Sequence, residues 1–134
     1  MAGSVAYKVN KIRNGGELIE EHVWSWVGAA AGGAVTAKAS NDVITGWVAE
    51  AETNPGSPSP TALYDITLTN ADAADVIGGK CADRSATLTE VEMPLIGTGY
   101  GEKFVNSILT LNISGQSVNS AVGTFKIRVR KGAV

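Results

Sequence analysis

The chain has 134 residues, 44% hydrophobic and 18% charged, with a formal net charge of -2. That is enough for one domain with its own apolar core and no need of a disulfide or metal. It argues against a disordered chain and gives no electrostatic case for nucleic acid or an anionic membrane. Cys81 is alone, so no intrachain disulfide can form, which suits a reducing cytoplasm. The N-terminus has no basic stretch followed by an apolar run, so no signal peptide is expected. No apolar run approaches the ~20 residues of a membrane helix.

The segments in chain order read as all-β. Val5, Tyr7 and Val9 alternate with small or polar residues, the period-two signature of a half-buried strand. The segment runs into Asn14-Gly15-Gly16, so residues 1–16 are expected either as the first strand of the domain or as an extended N-terminal arm. Ile19 to Val27 (IEEHVWSWV) puts His22, Trp24 and Trp26 on one strand face, and its aromatic and β-branched content favours strand over helix. Ala34 to Ala39 is a weaker strand. Asp42 to Ala51 is a stronger one, in which Gly46 signals a bulge or a close backbone approach.

Thr53 to Thr61 holds three of the four prolines and is expected as a loop. Tyr64 to Thr69 alternates again, and Ala71 to Val76 is short enough for one helical turn. Gly97 to Glu102 is another loop. Asn106 to Ser114 and Gly123 to Arg130 are the cleanest alternators, with Phe125, Ile127 and Val129 expected inward and Lys126, Arg128 and Arg130 outward. Gly-Gly pairs at 15–16, 32–33 and 78–79 sit at strand ends, where turns need positive φ. No sustained 3.6-residue apolar stripe occurs. The expected fold is a single all-β domain over 1–134, a β-sandwich or jelly-roll-like barrel with long Gly/Pro-rich loops.

The chemistry-bearing residues are sparse. His22 is the only histidine, which leaves a zinc site to carboxylates and Cys81, poor zinc chemistry, and a packing or surface role is favoured over catalysis. Asp65, Asp72, Asp75 and Asp83 lack the ligand spacing of a calcium loop, and turn chemistry is favoured. Glu90 and Glu92 share one face of a strand, expected to be solvated. Gly97, Gly99 and Gly101 give G-x-G-x-G with no helix behind it to hold a phosphate. Pro55 and Pro58 make a P-x-x-P without basic flanks, and Asn112-Ile113-Ser114 is a glycosylation sequon lying within a strand. Trp24, Trp26 and Trp47 can be a sugar-binding face, or core and interface aromatics. No catalytic, cofactor or metal residue is expected.

One pattern in the chain resembles a family of small tailed-bacteriophage virion structural proteins. Those proteins have a W-x-W strand, a T-x-P-G loop, a YD[IV]TL strand, an acidic turn of the type D-x-D-G-x-D-V-L-G-G, and a short N-R-S segment. The matches here are Trp24 and Trp26, Thr53, Pro55 and Gly56, Tyr64 to Leu68, Asp72, Asp75 to Gly79, and Arg84-Ser85. They cover roughly residues 24–85. The acidic turn departs from the pattern, with Ala73-Ala74 in place of its glycine-bearing residues and Ile77 in place of Leu.

The resemblance implies a non-enzymatic capsid decoration (cement) protein. Such a protein sits on the outer surface of the capsid after assembly in the host cytoplasm and bridges major capsid protein subunits as a homo-oligomer, a trimer or dimer. It touches neither nucleic acid nor membrane. The expected capsid contacts are Val5, Tyr7, Val9 and Ile12 of the N-terminal segment, Pro55 and Pro58 of the proline loop, and Tyr100 of the glycine loop. A tail or neck structural protein is the alternative within the virion. A carbohydrate-binding β-sandwich is the alternative from another class.

Overall fold

The computed structural model describes residues 3–133. In chain order its strands are β1 (Ser4–Asn14), β2 (Glu17–Val27), β3 (Lys38–Ala39), β4 (Ile44–Pro55), β5 (Asp65–Thr69), β6 (Glu90–Glu92), β7 (Leu95–Ile96), β8 (Gly99–Tyr100), β9 (Lys103–Ser107), β10 (Thr110–Ser114) and β11 (Val122–Ala133). The described residues form no helix, so none is long and apolar enough to cross a membrane. The larger sheet runs β1-β2-β11-β4, and β6 and β9 share the far edge of β4. The smaller sheet is β3-β10-β5, and β7-β8 is a separate hairpin. All pairings between strands are antiparallel.

The two sheets face each other as an open sandwich and do not close into a barrel. Trp24, Val48, Phe125 and Ile127 from the large sheet and Ile66, Leu68 and Leu111 from the small one fill one core, each almost wholly removed from water. Burying a side chain of this size stabilises the fold by ~1.5–3 kcal/mol. The indole Nε1 of Trp24 donates to the carbonyl of Lys38, 3.1 Å away, tying β2 to β3 across the interlayer space. As the sequence pattern implies, Phe125, Ile127 and Val129 point inward.

Several local expectations are corrected. Residues 34–37 are irregular, and only Lys38–Ala39 pair, with Leu111 and Thr110 of β10, because the stretch before them is held by the 28–34 turn, where the Ala29 N–H donates to the Ala34 carbonyl (2.8 Å). The strand expected over 106–114 is two strands. β9 belongs to the large sheet and β10 to the small one, so the chain changes layers at Ile108-Leu109. Ser40 pins that corner: its N–H donates to the Leu109 carbonyl (2.8 Å) and its hydroxyl accepts from the Leu109 N–H (3.1 Å). β4 runs on to Pro55, opposite Gly123, so the proline loop starts later than expected. Gly97 to Glu102 contains β8, and 71–76 is a set of turns without a helical turn.

At Gly46 the close approach is realised. A Cβ there would lie 2.7 Å from Val129 Cγ1 and 2.9 Å from the Arg130 carbonyl oxygen. The bulge sits further along, where β11 steps from Glu50 to Val48 and leaves Ala49 without a partner. It reverses which parity faces inward: Ile44 and Val48 before it, Ala51 and Thr53 after it.

Of the two expectations for the N-terminal segment, the structure has the strand. Ser4 to Asn14 pair residue for residue with Val27 to Glu17. A detached arm is not formed, because the Tyr7 ring packs on Trp24, centroids 4.9 Å apart, and half-buries Val5 and Tyr7 against the core. Residues 1 and 2 of that segment lie outside the described residues.

Candidate functional site

The acidic turn is built by backbone hydrogen bonding. Asn70 Oδ1 accepts from the N–H of Asp72 and of Ala74, each at 3.0 Å. Asp75 Oδ1 accepts from Leu68 and Ile77, each at 3.1 Å, and Oδ2 accepts from Gly79 at 2.9 Å. Asp65 Oδ1 accepts from the N–H of Asp83 at 2.9 Å. Gly78 and Gly79 leave the turn at φ 71° and 81°, and a Cβ on Gly78 would collide with the Leu95 carbonyl. The carboxylates of Asp65 and Asp75 are turn-formers, while Asp72 and Asp83 enter the turns through their N–H groups. Among the described residues no group of three His, Cys, Asp or Glu side chains is placed to hold a metal ion. Burial pushes the Cys81 thiol up to about 12, so it is protonated and inert at neutral pH.

Glu90 and Glu92 correct the sequence reading, which expected a solvated face. Both turn onto Arg84, whose Nη1 lies 3.1 Å from Glu92 Oε2 and 3.6 Å from Glu90 Oε1. Arg84 is buried, its Nε donates to the Ala82 carbonyl (3.0 Å), and Glu90 also accepts from the Ser85 N–H (2.7 Å). The Arg84-Ser85 segment thus fastens β6 to β5 through Tyr64, whose carbonyl accepts from the Arg84 N–H.

A second polar chain was not visible in the sequence. His22 is 3% exposed. Its Nε2 lies 3.2 Å from Glu20 Oε1, and its Nδ1 lies 2.5 Å from the Tyr7 hydroxyl. A carboxylate only accepts, so Nε2 carries the proton, and Nδ1 accepts from the Tyr7 O–H. Burial lowers the His22 pKa and Lys131 adds to this, while Glu20 opposes it. Burial also raises the Tyr7 hydroxyl to about 12, the reverse of what a nucleophile needs. The chain therefore locks β1 onto β2.

On the outer face of the large sheet, ion pairs cross three strands. Arg128 on β11 reaches Glu21 on β2 (3.2 Å) and Glu50 on β4 (3.2 Å), and Lys126 reaches Glu21 and Glu52, each at 3.8 Å. Apolar side chains escape this cover at the far edge. Trp47 and Phe104, paired across β4 and β9, meet edge-on with centroids 5.2 Å apart, and are 43% and 50% exposed. The segment between β6 and β8 adds exposed Val91, Met93, Ile96 and Tyr100. Trp24 and Trp26 are core residues, so the three tryptophans share no surface that could face a sugar.

The expected contact residues do not form one site. Val5 and Tyr7 are half-buried on β1, with Val9 and Ile12 exposed further along it. Pro55 is half-buried opposite Gly123. Pro58 is exposed, and its carbonyl accepts from the Val122 N–H at 3.0 Å. Tyr100 is 60% exposed, with Lys80 Nζ 5.3 Å from its ring centre. β1 is one edge of the large sheet, and Tyr100 follows the strand at the opposite edge. Sequence reasoning missed Trp47 with Phe104 as an exposed pair, because the two residues are far apart in sequence and meet only through the β4–β9 register.

Comparison of the chain with protein-family models, with curated proteins and with solved structures finds no match.

Proposed function

We propose that this protein is a structural component of a tailed-bacteriophage virion, a decoration protein that binds the outside of the head and bridges major capsid protein subunits. The observation that carries the reading is the run of exposed apolar side chains, Leu88, Val91, Met93, Ile96, Tyr100 and Phe104, on one edge of a sandwich with a well-filled core. Solvated apolar residues gathered on one segment mark a surface that another protein covers. The resemblance over residues 24–85 supplies the phage assignment. The buried Arg84 with its two carboxylates makes that edge stiff, which suits a protein that must hold its shape under tension from a filled shell. A homo-oligomer, trimer or dimer, matches the local symmetry of such shells.

The test is rebinding. Purified protein is added to mature heads that lack it, and attachment and the temperature of DNA release are measured. Attachment with a raised release temperature supports the reading. Attachment to tails, or to neither, overturns it.

A further inference from the structure

We infer that the free edge of β1 receives an extended, acidic strand from a partner protein, adding it to the large sheet. β1 ends the sheet, and its only strand partner among the described residues is β2. The backbone N–H and C=O groups on its other side are therefore a template for one more strand. Near its start, the Gly3 carbonyl accepts from Thr36 Oγ1 at 3.4 Å, so the open stretch lies beyond this, over Lys8 to Arg13.

Charge decides the occupant. β1 carries Lys8, Lys11 and Arg13 and no acid. All three are exposed, and among the described residues none lies within ion-pair distance of a carboxylate. Most of the other cations are paired: Lys80, Arg84, Lys126, Arg128, Arg130 and Lys131 all meet glutamates. A second copy of this chain pairing β1 against β1 would bring six cations together, and like charges on facing strands destabilise. A strand bearing carboxylates is favoured for the same reason.

The cleft beside this edge fits strand addition too. It has a volume of about 310 Å³ and is lined by Val9, Val43, Lys11 and Lys131 together with the carboxylates of Glu20 and Asp42. In an added strand every second side chain points to the same face. The cleft can take one of these, apolar against Val9 and Val43, while the neighbouring carboxylates point to the opposite face, where Lys8 stands. Backbone pairing then supplies affinity and the cleft supplies selectivity.

The inference rests on the partner-binding reading above, and names the chemistry of one contact. The test uses the full chain, labelled for amide hydrogen exchange. The probes are a ten-residue capped peptide of alternating valine and glutamate, its valine–lysine counterpart, and a ten-nucleotide single-stranded DNA. The acidic peptide is expected to slow exchange of the β1 amides facing away from β2. The basic peptide is expected not to bind. The triple variant Lys8→Glu, Lys11→Glu, Arg13→Glu, checked to be folded by its circular dichroism, is expected to bind the acidic peptide about tenfold or more weakly, with Lys8→Gln, Lys11→Gln, Arg13→Gln in between. Equal binding by the charge-reversed variant, protection elsewhere than β1, or DNA binding as tight as the peptide overturns the inference. If the charge-reversed variant still attaches to heads as the wild type does, the inference fails and the decoration reading stands. If the wild type binds the peptide and ignores heads, the reverse holds.

Discussion

The Tyr7 hydroxyl donates to Nδ1 of His22 across the β1–β2 ladder, at 2.5 Å, although Tyr7 lies directly opposite Trp24. The bond is diagonal, and it holds the imidazole as the tautomer that donates to Glu20. Tyr7→Phe removes the donor and leaves a buried acceptor unpaired, a cost of ~1–2 kcal/mol. Urea denaturation should show that loss with an unchanged slope. Wild-type stability in Tyr7→Phe would contradict the role given to the pair.

The same chain sets a pH dependence. His22 is faced by Tyr7 and Lys11 from β1, by Glu20 from its own strand, by Asp42 before β4 and by Lys131 from β11. Its pKa is lowered in the folded state by burial, so the unfolded chain takes up the proton first. Stability is therefore complete above the unfolded value of about 6.5 and falls as pH drops below it. A further loss follows at lower pH. Burial alone would raise the pKa of Glu21, but it is outweighed by Asn10, Lys126 and Arg128, so the net shift is downward and protonation costs stability. Replacing His22→Gln should remove the first fall and leave the second. Melting curves between pH 7 and pH 5 test this. A variant that loses as much stability as the wild type over that range would contradict it.

Asp75 ties three backbone N–H groups of the turn to one carboxylate. Asp75→Ala should cost ~2–3 kcal/mol, and Asp75→Asn less, since one oxygen remains to accept. Thermal unfolding with and without chelator checks both points, because these oxygens are committed to the backbone and chelator should shift nothing. A chelator-dependent melting temperature would show that the turn holds a cation.

In the core, Gly123 lies under the Trp26 ring, and an added Cβ would lie 2.6 Å from its Cε2. Trp26 is fully buried and has nowhere to go. Gly123→Ala should therefore destabilise by ~1–3 kcal/mol. The opposite sign is expected at Thr53, whose buried hydroxyl has no hydrogen-bond partner among the described residues. Thr53→Val should stabilise by ~1 kcal/mol, since it removes an unmet polar group at nearly constant shape. Both are read from unfolding midpoints, and a destabilised Thr53→Val would mean that the hydroxyl is satisfied.

Alternation alone marks β5 and β11 in the sequence, because each has one wetter and one dry face, while β2, with Val23 buried beside Trp24, is marked by its aromatic and β-branched content. The Asx turn at Asn70 to Gly79 is legible for a similar reason, its partners being only a few residues apart. The layer change at Ile108-Leu109 is not legible, since Val105 and Leu111 belong to one alternating pattern while facing the core from different sheets. The bulge at Ala49 is hidden too, because one unpaired residue leaves the local composition unchanged. His22 with Tyr7, Arg84 with Glu90 and Glu92, and Trp47 with Phe104 become pairs only through register. A strand pattern states which face a residue takes and says nothing of which residue lies beside it.

On the reading proposed above, a tailed phage encodes this chain, and the most direct measurement is an electron cryo-microscopy reconstruction of that phage's intact virions. The predicted result is density for the sandwich on the outer surface of the head at regular lattice positions, with the 88–104 edge against the shell. Density confined to the tail or neck, or absence of the chain from purified particles by mass spectrometry, would contradict the decoration assignment.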